Sequence, residues 1–228
     1  MTSHLALLVL ACAPLLPVHA TTGTSRSFEH DVLLDGKPIG FHRFTLQDTE
    51  SGVRLDAQAR FVVKVLGLKV FDYDHRVVEH WQGACLENLD ATTHQNGRTS
   101  RVEGDASTST FLVRKDTTSK SIEDCVASFA YWDKTRLLSR TALLNPQTGE
   151  YVPVTIQSLG LQPTSEDPAQ PTVERFRILG KQIDITVSYE QSSGQWVALQ
   201  SRLENGRELQ YRLRRTDSEL PTFTTGAM

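Results

Sequence analysis

The chain has 228 residues, and its 24 Lys and Arg against 27 Asp and Glu leave a formal net charge of −3. A balance so close to neutral excludes the clustered basic surface that nucleic acid requires, so no nucleic-acid partner is expected. The length suits one domain able to bury roughly 70% of its unfolded surface, so no metal or oligomer is needed merely to fold.

Residues 5–16, LALLVLACAPLL, form an uncharged apolar run, and Val18-His19-Ala20 follows with small residues where a signal peptidase accepts them. The pattern predicts a secretory signal peptide over residues 1–20, although MTSH at its front supplies no Lys or Arg. The run falls short of the roughly 20 residues that cross a bilayer, so the mature chain is not expected to span one. Val9-Leu10-Ala11-Cys12 loosely resembles a lipidation box, but apolar residues continue to Leu16 where a lipidated chain would turn polar. Removal of Cys12 leaves Cys85 and Cys125 in an oxidising compartment. No C-x-x-C spacing favours a redox couple, so a structural disulfide is expected between them.

Residues 21–220 then read as a single antiparallel β domain, in chain order. Phe28–Leu34 and Gly40–Gln47 make a first hairpin across residues 35–39. From Val53 to Val65 every odd position is apolar, and Phe71, Tyr73, Val77 and Trp81 keep the same phase, which is the period of a strand with one wet face. A three-residue loop at Leu66-Gly67-Leu68 sets Val63 opposite Phe71, Phe61 opposite Tyr73, Ala59 opposite His75 and Leu55 opposite Glu79. Residues 86–114 read as two or three shorter strands turning at Asn96-Gly97 and Gly104-Asp105. Next comes a dense aromatic stretch, Phe129, Tyr131 and Trp132, with Asp133 placed to cap a helix over Lys134 to Leu143. Tyr151–Ser158 is a further strand, and residues 162–171 form a Pro-rich polar loop. A turn at Gly180-Lys181 faces Ile178 with Ile183 and Phe176 with Ile185; an odd-length loop at Asn205-Gly206 faces Leu203 with Leu209 and Ser201 with Tyr211. Residues 221–228 read as a loose tail. The whole implies an all-β fold, a single strongly curved antiparallel sheet or a partly closed β-barrel, with one short helix.

No nucleophile elbow, zinc-protease, phosphate-loop or calcium-loop spacing occurs in the sequence, which names no catalytic residue and no cofactor. The histidines offer no ligand-spaced cluster, since His75 and His80 have opposite parity on one strand, so no metal is expected. The inner face does carry His75 and Glu79, roughly 13 Å apart along a strand. They orient a ligand in a cavity walled by Phe61, Tyr73 and Trp81, with Ala57 and Ala59 leaving space, or they are a hydrogen-bonded core histidine and a rim carboxylate. Likewise Phe129, Tyr131 and Trp132 are either a binding platform or a plug closing one end of the sheet, and the density of aromatics ahead of a short helix points to the plug.

Several separate stretches carry a resemblance. Leu34-Asp35-Gly36-Lys37-Pro38-Ile39-Gly40, Tyr73-Asp74-His75, Phe129-Ala130-Tyr131-Trp132 and Leu143-Leu144-Asn145-Pro146-Gln147-Thr148-Gly149-Glu150 are similar to an uncharacterised family of exported Gram-negative bacterial proteins, known as a domain of unknown function. That resemblance implies a periplasmic location and supplies no reaction. The expected role is a non-enzymatic protein binding a hydrophobic small molecule, such as a lipid or acyl chain, at Ala57, Ala59, Phe61, Tyr73, His75, Glu79, Trp81, Phe129, Tyr131 and Trp132. The alternatives are an envelope-protein assembly module and, behind it, a hydrolase-type enzyme using Asp74, His75 and Glu79.

Overall fold

The computed structural model describes residues 24–163, 171–203 and 205–214; the expected signal peptide, the middle of the Pro-rich loop and the expected tail lie outside them. The first meander comprises β1 (Ser25–Leu34), β2 (Lys37–Thr49), β3 (Gly52–Val65), β4 (Leu68–Gln82), β5 (Cys85–Gln95), β6 (Arg98–Ala106), β7 (Phe111–Lys115) and β8 (Thr118–Ile122). After α1 (Lys134–Leu138), a second meander comprises β9 (Ala142–Leu144), β10 (Tyr151–Pro163), β11 (Thr172–Gly180), β12 (Ile183–Glu190), β13 (Trp196–Arg202) and β14 (Glu208–Leu213). β14 pairs with β1, setting Leu213 opposite His30 and Leu209 opposite Leu34. That seam joins the two meanders into one 14-stranded antiparallel sheet, left open at β8 and β9.

Alternation explains how the sheet curves round one core. Along β4 the buried residues are Tyr73, His75, Val77, Glu79 and Trp81, while Asp74 and Arg76 between them face water. The same period in the other strands turns a single apolar face inward, and the two halves meet across the interior. Trp196 of β13 stacks at 3.9 Å on His30 of β1 and meets Phe44 of β2 edge-on at 5.4 Å.

The β3–β4 register holds all four predicted pairs, Val63 with Phe71, Phe61 with Tyr73, Ala59 with His75 and Leu55 with Glu79. The turn that delivers it differs. Val65 pairs with Leu68 across a two-residue turn, and an irregularity after Val63 restores the parity that a three-residue loop was expected to set. At two other hairpins the predicted pairing is displaced by two residues. Ile178 faces Ile185 and Phe176 faces Val187, while Ser201 faces Leu209 and Leu199 faces Tyr211. An even displacement keeps the same side chains inward, so the apolar pattern alone does not choose between the registers.

Gly104-Asp105 lies within β6 and makes no turn. A Cβ on Gly104 would sit 2.5 Å from Cε1 of Phe111, so this glycine makes room for a ring of β7. The first hairpin turns at Asp35-Gly36 with both φ values positive, and its strands reach further into the expected five-residue loop. The helix is also shorter than expected: Asp133 caps it, accepting from the Arg136 N–H at 2.9 Å, but it ends at Leu138 and Leu143 is buried from β9.

The chain between the free edges runs through the interior. Cys125 is bonded to Cys85 at the start of β5, as expected, Leu86 N–H donates to the Val126 carbonyl at 2.8 Å, and Leu144 N–H donates to the Ala127 carbonyl at 2.8 Å. Val126, Ala127, Ser128 and Ala130 are buried. Arg140 donates to the Ala84 and Cys125 carbonyls, and Arg136 lies 5.1 Å from the Trp132 ring and donates to the Gly83 carbonyl. This segment is thereby tied to the β4–β5 turn and to β9 at once.

Two stability measurements check this construction. The 40-residue separation of the cysteines places the loss in the Cys85→Ser/Cys125→Ser double variant at about 4 kcal/mol by urea denaturation, from loop-closure entropy. Gly104→Ala is expected to cost about 1–3 kcal/mol through overpacking against Phe111; an unchanged midpoint would show that the ring has room to move.

Candidate functional site

A cavity of about 450 Å³ lies between the inner faces of β2–β4 and β12–β14. Its first wall is His42, Phe44, Leu55, Ala57, His75, Val77 and Glu79; its second is Ile183, Ile185, Leu199, Ser201, Leu209 and Tyr211. Ser128, Phe129, Tyr131 and Trp132 supply the floor, while the exposed Gln147 and Gln182 lie at its opening. No Lys, Arg or Asp is among the described residues that line it.

The polar groups of the first wall come from the sheet register. His30 faces His42, His42 faces Ala59, Ala59 faces His75 and His75 faces Thr93, so five adjacent strands place three histidines and a threonine in one cross-strand row. The small Ala59 separates two imidazoles there. His75 Nδ1 is 2.9 Å from Thr93 Oγ1, and burial lowers its pKa to about 4. Burial likewise holds His30 at about 4, opposed by the Trp196 backbone and Asp31. Burial drives His42 well below the usual histidine value, with repulsion from His75 and His30 adding to it. Among the described residues, neither the ring nitrogens of His42 nor those of His30 have a hydrogen-bond partner.

At the floor, burial raises Glu79 to about 7 against the opposing hydrogen bonds of Ser128 and Trp81, whose indole N–H donates to the carboxylate at 2.9 Å. Glu79 is therefore an interior group and no rim carboxylate; Trp81 closes over it while packing edge-on to Trp132 at 5.8 Å. Asp74 faces outward and pairs with Arg76 at 3.3 Å, so the trio of Asp74, His75 and Glu79 is not assembled on one face.

Of the ten residues expected to contact a ligand, six line the cavity: Ala57, His75, Glu79, Phe129, Tyr131 and Trp132. The other four are packing residues beside it. Phe61 and Tyr73 stack on each other at 5.1 Å, Ala59 lies between the histidines, and Trp81 covers Glu79. Sequence parity on β4 found its own half of the wall and missed His42, Ser128 and the residues of β12–β14. His30 faces His42 only because the β1–β2 register shifts between Val32 and Leu33, where Leu33 meets Pro38, a residue with no N–H to give the ladder. Pro38 was the available signal.

A family described as a domain of unknown function (DUF6134) matches residues 30–214 of the chain. No curated protein matches it significantly. Among solved structures, the crystal structure of a beta-barrel-like protein of domain of unknown function DUF1849 from Brucella abortus is similar, with 10% sequence identity and a TM-score of 0.61 over 83% of this chain and 95% of that one. At that identity the likeness is one of fold.

The buried titratable groups set an expected pH profile. Between about pH 4 and 6.5 the unfolded chain binds protons at His30, His42 and His75 that the folded chain does not, so stability rises with pH there and is lost on acidification. Glu79 opposes this: raised from 4.5 to about 7, it favours the folded state below 4.5, a contribution lost as pH climbs to about 7. Three groups outweigh one throughout, so urea midpoints are expected to climb to about pH 7 and level off, with Glu79 making the climb shallower. Glu79→Gln is expected to steepen the climb between about pH 4.5 and 7, and a flat profile below about pH 6.5 would contradict the burial of the histidines.

Proposed function

The chain belongs to the DUF6134 domain-of-unknown-function family, and from that premise, which supplies a family and no reaction, we propose that it is a non-enzymatic binding module holding a hydrophobic ligand, a lipid or acyl chain, in the cavity between its two half-sheets. One observation carries the reading. The cavity of about 450 Å³ is walled largely by apolar side chains from both meanders, with His42, His75, Glu79 and Ser201 between them and no Lys, Arg or Asp among its described lining residues. Its volume lies in the range of small-molecule sites, roughly 300–1,000 Å³, and accommodates roughly fifteen water-sized groups at about 30 Å³ each. The disulfide supports work in an oxidising compartment, in keeping with an exported, periplasmic protein.

The barrel-like neighbour supports the architecture and says nothing of a ligand. The interior polar groups support binding over turnover. His75 and Glu79 are each held by a neighbour, Thr93 in one case and Trp81 with Ser128 in the other, and Asp74 is on the opposite face.

A specific observation favours the assembly reading in a second place. Leu66, Leu68 and Val70 at the β3–β4 tip are 98%, 72% and 54% exposed, a cluster of large apolar side chains with no cover from the described chain. The aromatic segment does not serve that purpose, because Trp132 is buried.

Native mass spectrometry of protein purified from its own compartment, followed by lipid extraction, tests the cavity reading, together with fluorescence of N-phenyl-1-naphthylamine. Ala57→Phe, which fills the cavity from β3, is expected to reduce probe binding at least about tenfold while leaving near-native stability, as volume added to a void should. An absence of both co-purified lipid and probe binding in the parent protein would refute it.

A further inference from the structure

Two polar groups on the cavity wall are buried without a hydrogen-bond partner, the ring nitrogens of His42 and the indole N–H of Trp132. Buried polar groups in folded proteins are normally satisfied, as His75 is by Thr93 and Glu79 by Trp81 and Ser128. Among the described residues the ring nitrogens of His42 and of His30 are both without a partner, and of the two only His42 lines the cavity, where it offers a donor and an acceptor together.

Its surroundings define what would fit. The ring packs at 4.1 Å on Phe44 and at 5.8 Å from Tyr211 of β14, with His30 opposite on β1 and His75 beyond Ala59 on β4. These are neutral groups or repulsive ones; among the described residues the wall holds no Lys or Arg, and its one carboxyl, Glu79, is held by Trp81 and Ser128 two strands away on β4. His42 is half-buried while its nitrogens are covered, and a half-turn about Cβ–Cγ exchanges each nitrogen with a ring carbon, so either edge is presented in the same ring plane. A phosphate or sulfonate would find no permanent positive charge here. A carboxylic acid would find what it needs, a donor and acceptor that can also take up one proton.

Resting on the cavity reading above, we propose that the ligand is an aliphatic monocarboxylic acid whose head group pairs with His42, its chain lying along Phe44, Ala57, Val77 and Leu199. The proton count is fixed. At neutral pH the free acid is ionised, so forming either the imidazolium–carboxylate pair or the neutral imidazole–carboxylic acid pair takes one proton from solvent. No covalent bond is made.

Isothermal titration of the Glu79→Gln protein, which lacks the other cavity group that titrates near neutrality, with dodecanoic acid and with dodecanol, each in buffers of different ionisation enthalpy, separates the outcomes. Dodecanoic acid is expected to bind with uptake of about one proton and to weaken about tenfold per pH unit above neutrality. Dodecanol is expected to bind without proton uptake, and His42→Leu to weaken the acid at least tenfold while leaving the alcohol within about twofold. Should His42→Leu unfold, the proton count of the Glu79→Gln protein decides alone, with His42→Gln on the same background as the folded comparison. Acid binding without proton uptake, or equal loss of acid and alcohol in the variant, overturns the head-group assignment and leaves the cavity reading intact. Failure of both probes to bind overturns the cavity reading itself.

Discussion

A sheet with one apolar face has to be covered wherever its edges fail to meet, and here the cover is the chain that leads from one edge to the other. The segment following β8 is fixed to β5 by the Cys85–Cys125 disulfide and the Leu86–Val126 hydrogen bond, and to β9 by the Ala127–Leu144 hydrogen bond. Everything inside depends on that placement. It brings Ser128 to Glu79, Trp132 to Trp81, and the Tyr131 carbonyl to the Tyr189 hydroxyl at 2.9 Å, so the floor of the cavity is anchored to both half-sheets. The distinction between a plug and a binding platform loses its force: Phe129, Tyr131 and Trp132 seal the interior and line what space it keeps.

The fold was legible because period two is a strong signal in long one-faced strands, and the β3–β4 pairing followed from parity together with the placing of the turn near Gly67. Turn placement was less legible. A two-residue displacement conserves every inward side chain, so the Ile178 and Ser201 pairings could slide without changing what is buried. Gly104 shows a second limit, since a glycine that yields space to Phe111 reads in sequence like one that makes a turn.

The site was half legible for a related reason. Parity along β4 identifies His75 and Glu79 as inward, but a cavity has two walls, and the opposite one comes from β12–β14, more than a hundred residues later in the chain. The histidine row was hidden because neighbouring positions across a sheet are remote in sequence, and because the irregularity beside Pro38 sets the face that His30 shares with His42. Spacing along one strand correctly separated His75 from His80 while saying nothing about neighbours across strands. What the row contributes is a set of neutral imidazoles in an interior with little to stabilise charge.

The β1–β14 seam has a consequence for how the molecule comes into being. The first described strand is hydrogen-bonded on one side to a strand that ends at Leu213, nearly the full described length away. Until that strand has been synthesised, β1 keeps one side of its backbone unpaired, however early the β1–β2 hairpin forms. Such a chain completes its sheet only once β14 is available, pays a large loop-closure entropy to do so, and carries an adhesive edge in the interval. Its biogenesis thus calls for shielding of nascent β1 against neighbouring chains.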